Sequence, residues 1–466
     1  MNYKRTCHNR PVRLNVSKEN TMAKDMTKGT ITSQLILFTI PLILGNLFQL
    51  TYNAADSVIV GKFLGDSALA AVGTAGPVMN LVILFFSGMC MGAGIIMSTM
   101  YGAKDYDRLE KQISTSLIGG LVVSILISLF MFLFATPILR MMKVPDEVLP
   151  GASGYLRIIF AGLIFTFIYN FLSNTLRALG DSKTPLYFLT ISAVLNIILD
   201  LLFVVVFRWG VNGSAIATVL SGALCCVFCA IHIKHNVPIL CLGEKWKVFE
   251  KSLLAKTFSY GITSALQLMC VQLGKLFVQS MVNAQGIASM AAFAATNRVD
   301  DFALTPQQNI AHATTTFMAQ NKGAGQNKRM KEGFLRGVMI EYVYTIITSL
   351  IVFFFARPII QLFLSKDSTE ALQLAVSYIQ IIAFMYLISG TTNILQGFFR
   401  GTGDLKITLI SSLTNIITRV IFTFLFLNIM HQGFGSLAWA NTAGWIAMFI
   451  LEFPLVIHYW RKKLNS

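Results

Sequence analysis

Long apolar runs separated by short polar punctuation fill the chain from about residue 34 onward. Runs such as LIGGLVVSILISLFMFLFATPIL and TIITSLIVFFFARPIIQLFL reach the ~20 residues a bilayer-spanning helix needs. In lipid only helices and closed barrels satisfy their own backbone. These runs are too long and too continuous for barrel strands, which alternate in polarity over about ten residues. The pattern predicts twelve helices, at about 34–60, 70–100, 113–140, 152–178, 185–207, 212–234, 254–284, 288–319, 335–364, 371–397, 406–428 and 435–459. Several are long enough to require tilt or kinks. The expected fold class is an all-α integral membrane protein of twelve transmembrane helices in two six-helix, pseudo-symmetric lobes.

An even number of spans puts both termini on one side. The tails and the loops after even-numbered helices carry about 27 Lys and Arg, against about 7 on the other side, which predicts cytoplasmic termini by the positive-inside rule. The expected divisions are a cytoplasmic tail (1–33), a first lobe (34–234), a cytoplasmic interlobe loop (235–253, containing GEKWKVFEK), a second lobe (254–459) and a short tail (460–466). The first ~30 residues lack the apolar run of a cleavable signal, so the first span is expected to direct insertion. MAKDMTKGTITSQL, from Met22, reads as a natural beginning, and the residues before it are expected to be dispensable.

The lobes repeat. GDSALAAVGTAGP from Gly65 matches GIASMAAFAATNR from Gly286, RALGD (177–181) matches RGTGD (400–404), and ISAVLNIILD (191–200) matches ISSLTNIITR (410–419). The matches keep their order and nearly their spacing. Six helices per copy make the repeat parallel, and such repeats are characteristic of secondary transporters with sites between the copies at mid-membrane.

Composition sharpens this picture. The chain is 55% hydrophobic and only 12% charged, against roughly 25% charged in a soluble chain. Its net charge of +16 is distributed beside apolar segments, so it reflects topology and not a nucleic-acid surface. Cys225, Cys226 and Cys229 in CCVFC lack a second ligand pair and sit in an apolar run, which reads as packing. All six histidines except His312 lie near predicted ends or tails, leaving no constellation for a membrane-embedded enzyme. No cofactor is implied, and a monomer in the plasma membrane is expected.

Charges inside spans are costly and default to function. Asp56 lies in the first helix and Asp200 in the fifth, within LNIILDLLFVVVF. Asn196 stands one turn before Asp200 on the same face. Asn170 and Asn174 are likewise one turn apart. Two nearby carboxylates in low dielectric cannot easily both ionise, which suits proton exchange. The same oxygens, with Thr218, equally suit a sodium ion at Asp56, Asn196 and Asp200. In the second lobe the position matched to Asp200 is Arg419, Lys275 stands in the seventh helix without an acid, and Asp300 and Asp301 are expected to pair locally with Arg298 or to lie at a helix end. Glu341 is expected near the cytoplasmic surface beside Arg336. The coupling chemistry should therefore be asymmetric and confined to the first lobe. Pro41, Pro77 and Pro306 interrupt helices. Pro41 is a candidate kink, and Gln49, Asn53 and Gln267 are candidates for a substrate cavity.

IPLILGNLFQLTYNAADSVIVGKFLG, NTLRALGDSKTPLYFLTISAVLNIILDLLF and GSAIATVLS resemble the multidrug and toxic compound extrusion (MATE) transporters, in particular their DinF-like branch, from Met22 to the C-terminus. The resemblance implies a V-shaped pair of six-helix lobes. It implies export of varied, often cationic, small molecules in exchange for protons or sodium. It assigns Asp56, Asn196, Asp200 and Thr218 to a cation or proton site, and a bend to Pro41. Other branches use acids in the second lobe, and the seventh helix has none here. Two alternatives are a flippase for lipid-linked saccharides, which would want a more basic cavity than Lys275, Arg298 and Arg419 supply, and a non-transporting scaffold, which would not need the intramembrane acids.

Overall fold

The computed structural model describes residues 25–237, 248–364 and 368–464. Met22, the tail before residue 25 and most of the interlobe loop with GEKWKVFEK lie outside the described residues. The rest is helical: α1 (Ile31–Leu64), α2 (Asp66–Gly102), α3 (Tyr106–Met141), α4 (Leu149–Ala161), α5 (Leu163–Ala178), α6 (Lys183–Asp200), α7 (Val211–Asn236), α8 (Lys251–Asn283), α9 (Ile287–Gly323), α10 (Asn327–Phe354), α11 (Ala356–Gln361), α12 (Thr369–Thr402), α13 (Leu405–Phe424) and α14 (Ser436–Tyr459).

These helices fill all twelve predicted spans. The fourth is broken at Gly162 into α4 and α5, which bend by 48°, and the ninth is interrupted at Phe355 between α10 and α11. Among the described residues, ten helices are long and apolar enough on their own to cross a membrane, eleven if α4 and α5 form one span. Helix α9 is not among them, because it carries Asn297, Arg298, Asp300, Asp301, Gln307, Gln308, Asn309 and His312. Polar side chains at membrane depth are tolerated where protein covers them. Asp300, Gln307, Asn309, Gln320 and Asn321 are all buried.

The core follows the repeat. One hydrophobic cluster draws only on residues between Ala71 and Val237, and a second only on residues between Val278 and Trp445. A third ties the start of α1, through Leu35, Phe38 and Leu42, to α9, α10 and α12. Helix α1 therefore straddles the two halves. Its first turns pack on the second half, and its later part packs on α6 and α7 of the first. Pro41 lies within the stretch that packs on the second half, which continues through Leu42 to Asn46, whose Nδ2 donates to Asn309 Oδ1 at 3.2 Å. It is buried inside a continuous helix, where it removes one i→i−4 hydrogen bond.

The halves meet closely along α2, toward its C-terminal end. A Cβ on Gly88 would lie 2.3 Å from the backbone of Ala265, and one on Gly92 2.4 Å from that of Gly261. A Cβ on Gly102 would lie 1.9 Å from the Gln320 carbonyl oxygen, and one on Gly323 1.9 Å from that of Thr99. Only glycine permits such backbone approach. Toward the other end of α2, Gly73 and Gly76 face open space. Gln320 completes the closed end: its Nε2 donates to the Ala178 carbonyl at 2.8 Å, and its Oε1 accepts from the Met26 N–H at 3.0 Å.

Candidate functional site

Asp56 and Asp200 come together inside the first half. Helix α1 supplies Asp56. Helix α6 ends on Asp200, after which the backbone widens into π-helical geometry over Leu201–Val206, a feature frequent at functional sites. The first turns of α7 bring Ser214, whose hydroxyl donates to Asp56 Oδ1 at 2.7 Å. The two carboxyl groups face each other closely enough to share one proton. Asp200 is 0% exposed, and neither of its oxygens has a hydrogen-bond donor. Asn196 Nδ2 reaches Thr218 Oγ1 at 3.4 Å, and its Oδ1 is also buried without a partner. Tyr155, from α4, lies within electrostatic reach of both acids. Buried carboxylates without donors are strongly unfavourable. A proton between the two acids, or a hard cation held by their oxygens with Asn196 Oδ1, Ser214 Oγ and Thr218 Oγ1, removes that penalty. The residues thus form an all-oxygen set suited to either species.

The second half has a comparable cluster with the opposite charge balance. Asp300 is buried and accepts from Tyr386 at 2.6 Å and Tyr378 at 3.3 Å. Arg419 and Lys275 lie within electrostatic reach of it, and Lys275 Nζ pairs with Asp301 at 3.1 Å. The expected pairing with Arg298 is thus corrected: Arg298 is exposed, and α8 supplies the cation instead. Two acids meet two bases here, whereas Asp56 and Asp200 meet none. Both repeats turn π-helical near the end of the matched helices α6 and α13, after Asp200 and after Phe424.

The other sequence candidates are distributed elsewhere. Asn170 and Asn174 do not join the acid pair. They line a cavity of about 170 Å³ between the halves, near their closed end. Ser87 Oγ, also lining it, donates to Asn170 Oδ1 at 3.3 Å. The second half contributes Leu268, Asn309, His312 and Thr315 to its walls. Gln49, Asn53 and Gln267 do not line this cavity. Gln49 bonds Tyr52, and Asn53 is exposed further along α1. Gln267 is buried within the second half, donating to Gln396 Oε1 at 2.9 Å. Its neighbour Leu268, turned ~100° around the helix, faces the cavity instead. Glu341 is not at the surface: it is 0% exposed, beside Thr345, with one oxygen unpartnered. Arg336 lies five residues away, on another face of α10. The thiols of Cys225 and Cys226 donate to the carbonyls of Phe188 and Phe165.

Charges near this cavity escaped the sequence reading. Arg177 lines the cavity. Arg400 is 6% exposed, and its Nη1 contacts the sulfur of Met91, another lining residue. Glu452 accepts from Ser411 at 2.6 Å and lies within reach of Arg400. The arginines were in view as the first residues of RALGD and RGTGD. Their place near predicted helix ends suggested topology, not interior chemistry. Glu452 stood in an apolar run, as Asp200 did, and the same signal would have found it.

The MatE family model matches residues 41–202 and 264–425, one match in each half. The probable multidrug resistance protein YpnP of Bacillus subtilis (strain 168) is 32% identical over 406 residues, covering 87% of this chain and 90% of that protein. The multidrug export protein MepA of Staphylococcus aureus (strain MSSA476) is 23% identical over 378 residues, covering 81% of this chain and 83% of that protein. The same fold is found in an outward-facing multidrug resistance MATE family transporter of the MOP superfamily, with a TM-score of 0.89 at 22% identity, covering 96% of this chain and 100% of that one. With a match to each of its two repeats and a relative aligned along nearly its whole length, this multi-pass membrane protein belongs to the MatE family of transporters, and is not an enzyme.

Proposed function

We propose that the protein is a secondary active antiporter that exports small organic compounds in exchange for protons or sodium ions, and that Asp56 and Asp200 bind the coupling ion. One observation carries the reading: two carboxyl groups face each other in the first half with no basic partner, and the Ser214 hydroxyl that serves them both is bonded to Asp56. Names such as multidrug resistance and multidrug export among the relatives support drugs as the cargo. The neutralised cluster around Asp300 supports ion coupling in the first lobe alone.

The mechanism follows from which contacts depend on the ion. Asp56 rides on α1, which packs on the second half as far as Leu42 and Asn46 and is tied further along to the first half through Ser214. Ion entry removes the repulsion between Asp56 and Asp200 and draws α1 toward α6 and α7. Ion release loosens that attachment. An ion or a drug shifts the balance between conformations only by its differential affinity for them, and the coupling between the two ligands is reciprocal. With cytoplasmic termini, the glycine-sealed end faces the cytoplasm and the opposite end faces outward, the side to which cargo is released.

The test is efflux of a fluorescent organic cation from proteoliposomes, with pH and sodium gradients imposed separately. Either gradient alone should drive accumulation against the probe's own gradient. Transport that follows only the probe's gradient under both conditions overturns the antiport reading.

A further inference from the structure

The walls of the inter-lobe cavity carry positive charge. Arg177 lines it, and Arg400 stands behind Met91 in its wall; His312 lines it as a further nitrogen donor. His312 lies within electrostatic reach of both arginines. Among the described residues, none of the lining side chains is a carboxylate. Glu452 offsets Arg400 from behind, whereas the neighbour acting on Arg177 is the neutral Tyr169. Each guanidinium also has a buried Nε–H with no hydrogen-bond acceptor. The two arginines head the matched motifs RALGD and RGTGD, so the two lobes place the same residue of their repeat at this chamber, Arg177 in its lining and Arg400 one side chain behind it.

We propose that Arg177 and Arg400, with His312 between them, receive the anionic group of a ligand, a carboxylate or a phosphate, so that amphipathic molecules carrying such a group are favoured cargo. This rests on the export reading above and names its substrate class. A guanidinium fork matches the planar, two-oxygen geometry of these anions. Ser87, Asn170, Asn174 and Asn309 supply further polar contacts around it. The cavity's 170 Å³ is smaller than the ~300 Å³ at which drug-sized pockets begin. It therefore takes a ligand's head group, with the apolar remainder lying in the cleft above. One anion held by an arginine from each lobe would also bridge the lobes where they converge.

The test uses the full chain in phosphatidylcholine nanodiscs and two dyes differing only at the anionic group, rhodamine B and its ethyl ester, read by fluorescence polarisation. Wild type should bind rhodamine B about tenfold more tightly than the ester. Arg177→Gln and Arg400→Gln should each remove that preference and leave ester binding unchanged. Arg177→Lys, which keeps the charge without the fork, should retain part of it and shows that a loss in Arg177→Gln is not misfolding. Adding phosphatidylglycerol to the discs separates the sources: displacement of rhodamine B from wild type but not from Arg177→Gln identifies a lipid headgroup as the anion, and no displacement identifies a soluble ligand. Equal binding of both dyes overturns the anion site while leaving drug export standing, as does an equal loss of both dyes in the variants. Binding of neither dye by wild type overturns the export reading and the site with it.

Discussion

Gly102→Ala and Gly323→Ala should each open the sealed end. A new Cβ would sit 1.9 Å from a carbonyl oxygen of the facing helix at either position. Ordinary contact is about 3.4 Å or more, so α2 and α9 must separate by roughly 1.5 Å. Both obstacles are backbone atoms, which no rotamer change can clear. Overpacking of this kind costs about 1–3 kcal/mol, a factor of about 5 to 150 in the ratio of sealed to unsealed states. The assay is the rate at which a maleimide modifies a cysteine replacing Thr316, a cavity-lining residue, in a variant without other cysteines and with reagent supplied from the sealed face. The rate should rise by a comparable factor. Gly76→Ala is the control: its Cβ meets nothing within 4 Å, and alanine favours helix, so the rate should not change and stability should rise slightly. Unchanged modification in Gly102→Ala and Gly323→Ala, at normal expression and melting temperature, would refute the argument.

Two further outcomes test the charge assignments. Ser214→Ala removes the donor to Asp56. Hydrogen bonds to charged groups contribute about 1.5–3 kcal/mol, so the half-saturating coupling-ion concentration should move by at least about tenfold, measured as dye efflux against ion concentration. Glu341→Gln keeps the side chain's shape beside Gly390, whose Cβ would lie 2.8 Å from Glu341 Oε1. Because Glu341 has no second acid beside it, coupled efflux should stay within about twofold of wild type, and loss of coupling would place an ion site in the second lobe.

Helices and their order were legible because burial in lipid demands long apolar runs, and the repeat fixed the division into halves. Even α9, too polar to score as a span by itself, was recovered from its length and its match to α2. Asp56 and Asp200 stood out because an acid in an apolar run has few structural uses. What sequence withheld was which face meets which neighbour. Asn170 and Asn174 share a face, as their spacing requires, but it looks onto the inter-lobe cavity and not onto Asp200. Lys275 and Asp301 are 26 residues apart, and no local pattern joins them. Arg177 and Arg400 were obscured because the first turn inside the membrane and the last turn outside it carry the same residue types.

Coupled efflux by Asp56→Asn, Asp200→Asn and the double variant tests most directly whether the two acids act as one ion site. The measurement is ion-driven transport of a fluorescent cation in proteoliposomes at matched insertion. Residues that act as a unit are non-additive when removed. Each single variant should therefore lose coupled efflux almost completely, and the double variant should lose no more. Retention of coupled efflux by either single variant, or losses that multiply as for independent sites, would contradict a shared site at Asp56 and Asp200.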